Sequence, residues 1–177
     1  MAIERAERSR FLLRIATAVP GILLLGLSAD AFAANTCPWM NEASASGLLG
    51  GNAKGAYIAT SQSPTASCTF TQQAADGTRT LRIVVTRFED DPHAGFTKRK
   101  MACQSEPTPL KAIGNETVVC ALNDDSSSEG IRAIGRVRDQ VFEIMIITSL
   151  ADDPILTESA LKSQIKAAAE QVSGNLF

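Results

Sequence analysis

TVVCALNDDSSSEGIRAIGRVRDQVFEIMIITS, residues 117–149, is the stretch that decides the fold of this chain. It contains three runs rich in apolar and β-branched residues, 117–122, 131–137 and 141–149, separated by polar segments. Such runs predict strands, and the short link 138–140 predicts that the last two strands pair antiparallel. We therefore expect an antiparallel meander in this half of the protein.

The other predicted elements precede and follow this meander. Three helices are predicted from capping residues and helical periodicity, at 41–49, 91–104 and 153–174. Three further strands are predicted from apolar runs bounded by turn residues, at 56–60, 67–72 and 80–88. This order of elements is typical of an α+β two-layer sandwich. We expect a curved, mainly antiparallel sheet of five to six strands with the helices packed on one face.

The N-terminal residues predict export. Four arginines precede an apolar run at 15–27, and small residues suited to cleavage end at Ala33. This run is interrupted at Pro20, and it is shorter than the roughly 20 apolar residues that a membrane-spanning helix needs. We predict a cleaved signal peptide at 1–33 and a single soluble domain at 34–177, either periplasmic or secreted.

The cysteines fit a protein that matures in an oxidising compartment. Cys37, Cys68, Cys103 and Cys120 allow three pairings, and their spacing does not choose among them. We favour Cys37 with Cys68 and Cys103 with Cys120, because each pair ties a helical segment to a strand that is close in sequence. Thr36 stands where a lipidation site has a small residue, so no membrane anchor is expected after cleavage.

Composition and length narrow the classes of function. The chain has 17 basic and 19 acidic residues, of which residues 1–33 hold four and three, so that 13 basic and 16 acidic residues follow the signal. This mildly acidic balance, with one Trp and one Tyr, argues against a nucleic-acid partner. About 144 residues suffice for one domain with a core.

Candidate catalytic and metal-binding groups each have a simpler structural explanation. Residues 89–93 hold three carboxylates and the only histidine, which could bind a divalent cation or act as acid and base. The same residues are typical of a helix start capped by Asp91. Residues 123–125 with Glu129 could bind calcium, but they are typical of a hairpin tip. We assign no catalytic residue, no metal and no cofactor.

The outer face of the sheet is the strongest candidate for binding. We define it as the face opposite to that of Leu81, Ile83 and Val85, and alternation gives it a mixture of apolar and cationic side chains. Such a surface suits a protein partner or a small amphiphilic or anionic ligand. The predicted binding residues are Arg82, Arg132, Arg136 and Met145. The alternative is that residues 51–66 cover this face and that Arg136 pairs with Glu143.

Several short motifs resemble those of a known group. CPWM at 37–40 leads a short helix to LGG at 49–51, CTF at 68–70 lies in a strand, and IGNE at 113–116 precedes the meander. This arrangement resembles a group of small exported bacterial proteins of unknown function, and is similar to the extracellular sensor domains of some bacterial Ser/Thr kinases. The resemblance implies a disulfide between Cys37 and Cys68 and a binding or sensing role without chemistry.

Two functions of different classes stay open. The favoured one is an exported soluble binding or interaction domain without catalytic activity, because no complete catalytic constellation is present. The alternative is a small secreted hydrolase whose acid groups converge only in the fold. That alternative requires at least two members of one set to meet in a pocket: Asp90, Asp91, His93, Asp139 and Glu143.

Overall fold

The computed structural model describes residues 36–124 and 128–177. The predicted signal peptide, its cleavage site at Ala33 and Asp125 of the acidic loop lie outside the described residues. Across the two described ranges, no helix is long and apolar enough to cross a membrane.

Within these ranges the chain forms three helices and seven strands. In chain order they are α1 (Glu42–Leu49), β1 (Ala53–Ala59), β2 (Thr65–Ala74), β3 (Gly77–Arg87), α2 (Pro92–Lys100), β4 (Thr108–Pro109), β5 (Glu116–Asp124), β6 (Ser128–Val137), β7 (Gln140–Thr148) and α3 (Glu158–Gly174).

The strands build one open antiparallel sheet in the order β1-β2-β3-β7-β6-β5-β4. This confirms an α+β fold with an antiparallel sheet, and all six predicted strands are present within three residues at each end. The seventh strand, β4, is a two-residue edge strand that pairs Thr108 and Pro109 with β5. No apolar run marks it in the sequence.

The helices lie on both faces of the sheet, so the prediction that they share one face is wrong. Helices α1 and α3 pack on the inner face, where the large buried side chains include Leu81, Phe142 and Ile165. Helix α2 packs on the outer face, where Phe96 contacts residues of β5, β6 and β7. The outer face is therefore partly covered, by a helix rather than by residues 51–66, which contribute β1 to the sheet.

A glycine makes room for one of the large side chains of the inner face. Gly135 lies between Thr117 and Phe142 in the register of β5, β6 and β7. A Cβ atom added at Gly135 would collide with the Phe142 ring and with Thr117 Oγ1. The fully buried Phe142 therefore depends on the missing side chain at Gly135.

The C-terminal helix begins later than predicted, because Asp153 has another role. Helix α3 starts at Glu158, and Thr157 is its cap through a hydrogen bond from Ala160 N to Thr157 Oγ1. Asp153 instead accepts hydrogen bonds in the loop before α3, at 2.9 Å from Ile155 N and at 3.1 Å from Leu156 N. The buried face of α3 is as predicted, and it includes Leu161, Ile165, Ala168 and Val172.

Asp153 also forms a buried ion pair with Arg79 of β3. Arg79 Nε donates to Asp153 Oδ2 at 2.6 Å and Arg79 Nη2 donates to Asp153 Oδ1 at 2.8 Å, with side chains that are 5% and 0% exposed. Thr148 Oγ1 donates to the same carboxylate, and Gln72 Oε1 accepts from Arg79 Nη1. This network ties the loop before α3 to the central strands.

Both predicted disulfides are confirmed. Cys37 bonds Cys68 and Cys103 bonds Cys120, with Cα–Cα distances of 5.7 Å and 5.9 Å. Their sequence separations are 31 and 17 residues, and closing loops of this size in the unfolded chain stabilises a domain by roughly 3 to 4 kcal/mol each. The first bond fixes the segment before α1 to β2, and the second fixes the end of α2 to β5.

Helix α1 protects the exposed edge of the sheet at β1. Ala53 N donates to Ser46 Oγ and Gly55 N donates to Glu42 Oε1, both at 2.9 Å. Outward backbone groups recur at every second residue of an edge strand, and unpaired ones promote association between sheets. Two side chains of α1 therefore satisfy the first outward N–H groups of β1.

Candidate ligand-binding surface

Helix α2 divides the outer face into a covered part and an uncovered part. The helix begins at Pro92 after the cap Asp91, whose Oδ1 accepts from Ala94 N at 2.9 Å. Buried Phe96 then packs with Val118, Ile134 and Val141, one residue from each of three neighbouring strands. The part of the outer face beyond α2, towards β3, β2 and β1, has no helix over it among the described residues.

The start of α2 is held to the sheet by Glu116. Its Oε1 lies 2.8 Å from His93 Nδ1 and 2.6 Å from Arg136 Nε. Burial raises the pKa of Glu116, but the hydrogen bonds from Arg136 and His93 outweigh it, so that the pKa stays below its usual value. Glu116 is thus an ionised acceptor shared by two cationic or polar groups.

The end of α2 is held by a second carboxylate, that of Glu143. Arg132 Nη2 lies 2.7 Å from Glu143 Oε1, and Arg99 Nε lies 3.7 Å from Glu143 Oε2. Arg99 also donates to Thr86 Oγ1 at 2.8 Å and lies 5.5 Å above the centre of the Phe88 ring. Burial lowers the pKa of Arg99; Glu143 opposes that shift, and Arg132 adds to it.

One row of the outer face contains three of the four predicted binding residues. Met145 of β7 pairs with Arg82 of β3 on one side and with Arg132 of β6 on the other. Arg82 is exposed, and no ion pair joins it to another described residue. Arg132 is mostly buried, and its Nε has no hydrogen-bond partner among the described residues. Arg82, Met145 and Arg132 are therefore neighbours on one surface.

The fourth predicted residue, Arg136, does not belong to this group. It lies two rows away, opposite Val141, and it bonds Glu116. The alternative pairing of Arg136 with Glu143 is also wrong, since Glu143 contacts Arg132 and Arg99. The alternation of apolar and polar residues predicted the correct face for all four binding residues. It does not specify which carboxylate each guanidinium group contacts.

Apolar side chains lie on the same face as Arg82 and Met145. Ile58 of β1 is 66% exposed, and Val84 and Ile147 are partly exposed on the same face. We call this surface the open patch; its residues are Ile58, Arg82, Val84, Met145 and Ile147. Arg82, Arg99 and Arg132 bring three positive charges to the patch and its border, against one carboxylate, that of Glu143. The surface therefore combines apolar side chains with an excess of positive charge, and the register places the hydroxyl residues Ser67, Thr69 and Thr80 among them.

The groups required by the hydrolase hypothesis do not contact one another. Asp91 caps α2, Asp139 lies 3.0 Å from Arg87, and Asp90 is exposed. His93 contacts Glu116, and Glu143 contacts Arg132 and Arg99. No hydrogen bond or ion pair joins any two members of the set, all of which are described. The geometry therefore gives the hydrolase hypothesis no support.

Two side chains that hold α2 to the sheet, those of Glu116 and Arg99, were not predicted from the sequence. Glu116 directly precedes the predicted strand 117–122, and Arg99 belongs to a run of three basic residues at 98–100 that is typical of a solvated helix side. Arg99 instead turns towards the sheet, and it lies three residues after the buried Phe96, on the same side of the helix. That helical spacing was the available signal.

Neither sequence-predicted cation site gains support. The described residues contain no cluster of three or more His, Cys, Asp or Glu groups arranged to hold a metal ion. At 89–93, Asp91 and His93 bond Ala94 N and Glu116 respectively. The second candidate, residues 123–125 with Glu129, includes Asp125, which is outside the described residues.

Comparisons with protein-family models, with curated proteins and with solved structures each gave no match to this chain.

Proposed function

We propose that this protein is an exported, non-catalytic binding domain, and that its open patch binds a small ligand with one acidic group and an apolar part. Export is supported by the basic and apolar N-terminal sequence and by two disulfides, which persist in oxidising compartments. A sensing or binding role without chemistry is also what the resemblance to small exported bacterial proteins, and to the extracellular sensor domains of some bacterial Ser/Thr kinases, implies.

One observation carries the choice of surface. The open patch combines apolar side chains, of which Ile58 is the most exposed, with guanidinium groups that outnumber the nearby carboxylates. Apolar area left in water favours association, and guanidinium groups form strong paired hydrogen bonds with carboxylate or phosphate. A ligand with both features would match both properties of the patch.

The charge of the whole protein favours a small ligand over an anionic membrane. After removal of residues 1–33 the chain would have 13 basic and 16 acidic residues, so the positive charge is local. Long-range attraction to an anionic bilayer depends on clusters of several basic residues at the surface. The row of Arg82 and Arg132 has two, which suits one head group.

Calorimetric titration with dodecyl phosphate below its micelle concentration tests this function. We expect saturable binding with one ligand per protein, and no binding of the uncharged dodecyl maltoside. Met145→Gln should weaken binding, because Met145 lies at the centre of the patch. Met101→Gln is the matched control, since Met101 is 81% exposed at the end of α2 and lies outside the patch. Equal effects of the two substitutions, or equal binding of both amphiphiles, would contradict the proposal.

Export is tested separately by the intact mass of the native protein, measured with and without alkylation. We expect a chain that begins after Ala33 and four cysteines that resist alkylation without a reductant. A mass that includes residues 1–33 would contradict export.

A further inference from the structure

Arg132 is the least satisfied group at the border of the open patch. Its Nη2 contacts Glu143, but its Nε is buried and has no hydrogen-bond partner among the described residues. Glu143 is also shared with Arg99, so that two guanidinium groups depend on one carboxylate. Buried donors and charges are normally paired, and an unpaired one calls for an explanation.

Arg82 lies on the other side of Met145 from Arg132. Arg82 and Arg132 are both register partners of Met145, and they are therefore separated by two strand spacings, about 10 Å. Arginine side chains are long and flexible, so that two of them on alternate strands can reach one anion above the strand between them. The side chain below that position is the thioether of Met145, which presents no charge to a bound anion.

We infer that the ligand's acidic group, a carboxylate or a phosphate, lies between Arg82 and Arg132 above Met145, and that a single aliphatic chain continues over Ile147. This inference rests on the proposed function and specifies its ligand. Glu143 then acts as an internal competitor, because it occupies Arg132 when no ligand is bound. Arg99, already 3.7 Å from Glu143, compensates that carboxylate when the ligand takes Arg132.

The competition makes two substitutions act in opposite directions. Arg82→Gln removes a charge-assisted contact and should weaken the binding of dodecyl phosphate about tenfold. Glu143→Gln removes the competing carboxylate and should strengthen that binding about fivefold, the size expected for the net contribution of one hydrogen bond. A residue that only maintains the fold would weaken binding when it is replaced.

Arg87→Gln is the matched control for Arg82→Gln. Both arginines belong to β3, but Arg87 lies on the other face and pairs with Asp139. We expect Arg87→Gln to leave the affinity unchanged. Arg82 is exposed and in no described ion pair, so its replacement tests the site without disturbing the core; urea unfolding of Glu143→Gln confirms that this variant is folded before it is titrated.

The outcomes separate this inference from the proposed function. Suppose that the wild-type protein binds dodecyl phosphate, but that Arg82→Gln and Arg87→Gln have the same affinity for it. The inferred position of the ligand is then wrong while the proposed function stands. The same conclusion follows if Glu143→Gln weakens the binding. If inorganic phosphate binds as tightly as dodecyl phosphate, the inferred contact of an aliphatic chain with the patch is wrong. Binding only to vesicles with anionic lipid would contradict a small ligand, and no binding of any probe would overturn the proposed function itself.

Discussion

Replacing Asp153 by asparagine tests how much stability the buried ion pair of the inner face provides. The substitution keeps an acceptor oxygen for the backbone N–H groups of Ile155 and Leu156, but it removes the negative charge beside Arg79. The Arg79 side chain is only 5% exposed, and it would keep Gln72 and a backbone carbonyl as its acceptors. Removing one partner of a buried ion pair costs about 3 to 5 kcal/mol.

The chain contains a second ion pair of the same length that serves as a control. Lys162 Nζ lies 2.6 Å from Glu158 Oε1 on α3, the distance that separates Arg79 Nε from Asp153 Oδ2. Its side chains are 65% and 85% exposed, and exposed pairs contribute little because water and salt screen them. Glu158→Gln should therefore leave the free energy of unfolding almost unchanged.

Urea unfolding at pH 7, followed by circular dichroism, measures both variants. A slope of about 2 kcal/mol per molar urea converts the expected loss for Asp153→Asn into a midpoint about 2 M lower. The double variant Arg79→Met, Asp153→Asn removes both charges and keeps the acceptor oxygen for Ile155 N and Leu156 N, and it should be more stable than Asp153→Asn alone. If Asp153→Asn and Glu158→Gln shift the midpoint equally, burial does not set the strength of these pairs and the reasoning is refuted.

The same pair predicts a dependence on pH. Burial raises the pKa of Asp153, but hydrogen bonds from Arg79, Thr148 and two backbone N–H groups outweigh it and hold the pKa well below its usual value. This stabilisation is complete above the unfolded-state pKa of about 3.9, and is lost as the pH falls further towards the folded-state pKa. Between about pH 4 and pH 2 the wild type should therefore lose more stability than Asp153→Asn. Parallel curves for the two proteins would contradict the lowered pKa.

Two further predictions concern the sheet and its edge. Gly135→Ala should destabilise the protein by about 1 to 3 kcal/mol, because the added Cβ atom collides with Phe142. Gly47→Ala should instead stabilise it by about 0.5 to 1 kcal/mol, because Gly47 lies on α1 with open space around it. Thermal unfolding measures the sign of both changes. Glu42→Ala should increase association through β1, because Gly55 N loses its acceptor. Light scattering at rising concentration would show this, and a molecular mass equal to that of the wild type would contradict it.

The strands could be predicted from the sequence because their signal is local. Alternation of apolar and polar residues depends only on the period of two along a strand, and it placed Arg82, Arg132 and Met145 on the same face. The caps Asn41 and Asp91 were predictable for the same reason, since a cap bonds a backbone group three residues away.

The start of α3 shows where local signals fail. Asp153-Pro154 has the sequence of a helix start, and Thr157 is an equally ordinary cap. Asp153 is buried because it meets Arg79, which is 74 residues away in the chain. No pattern near either residue contains that information.

The sequence by itself determined the class of fold, the strands and their faces, but it left three pairings of the cysteines open, and the structure decided between them. The tertiary structure alone decided which face α2 covers, that Arg136 bonds Glu116, and that Glu143 is shared by Arg99 and Arg132. The physical reason is range: backbone periodicity and capping act between neighbours in the chain, whereas side chains are paired by the packing of elements that are distant in sequence.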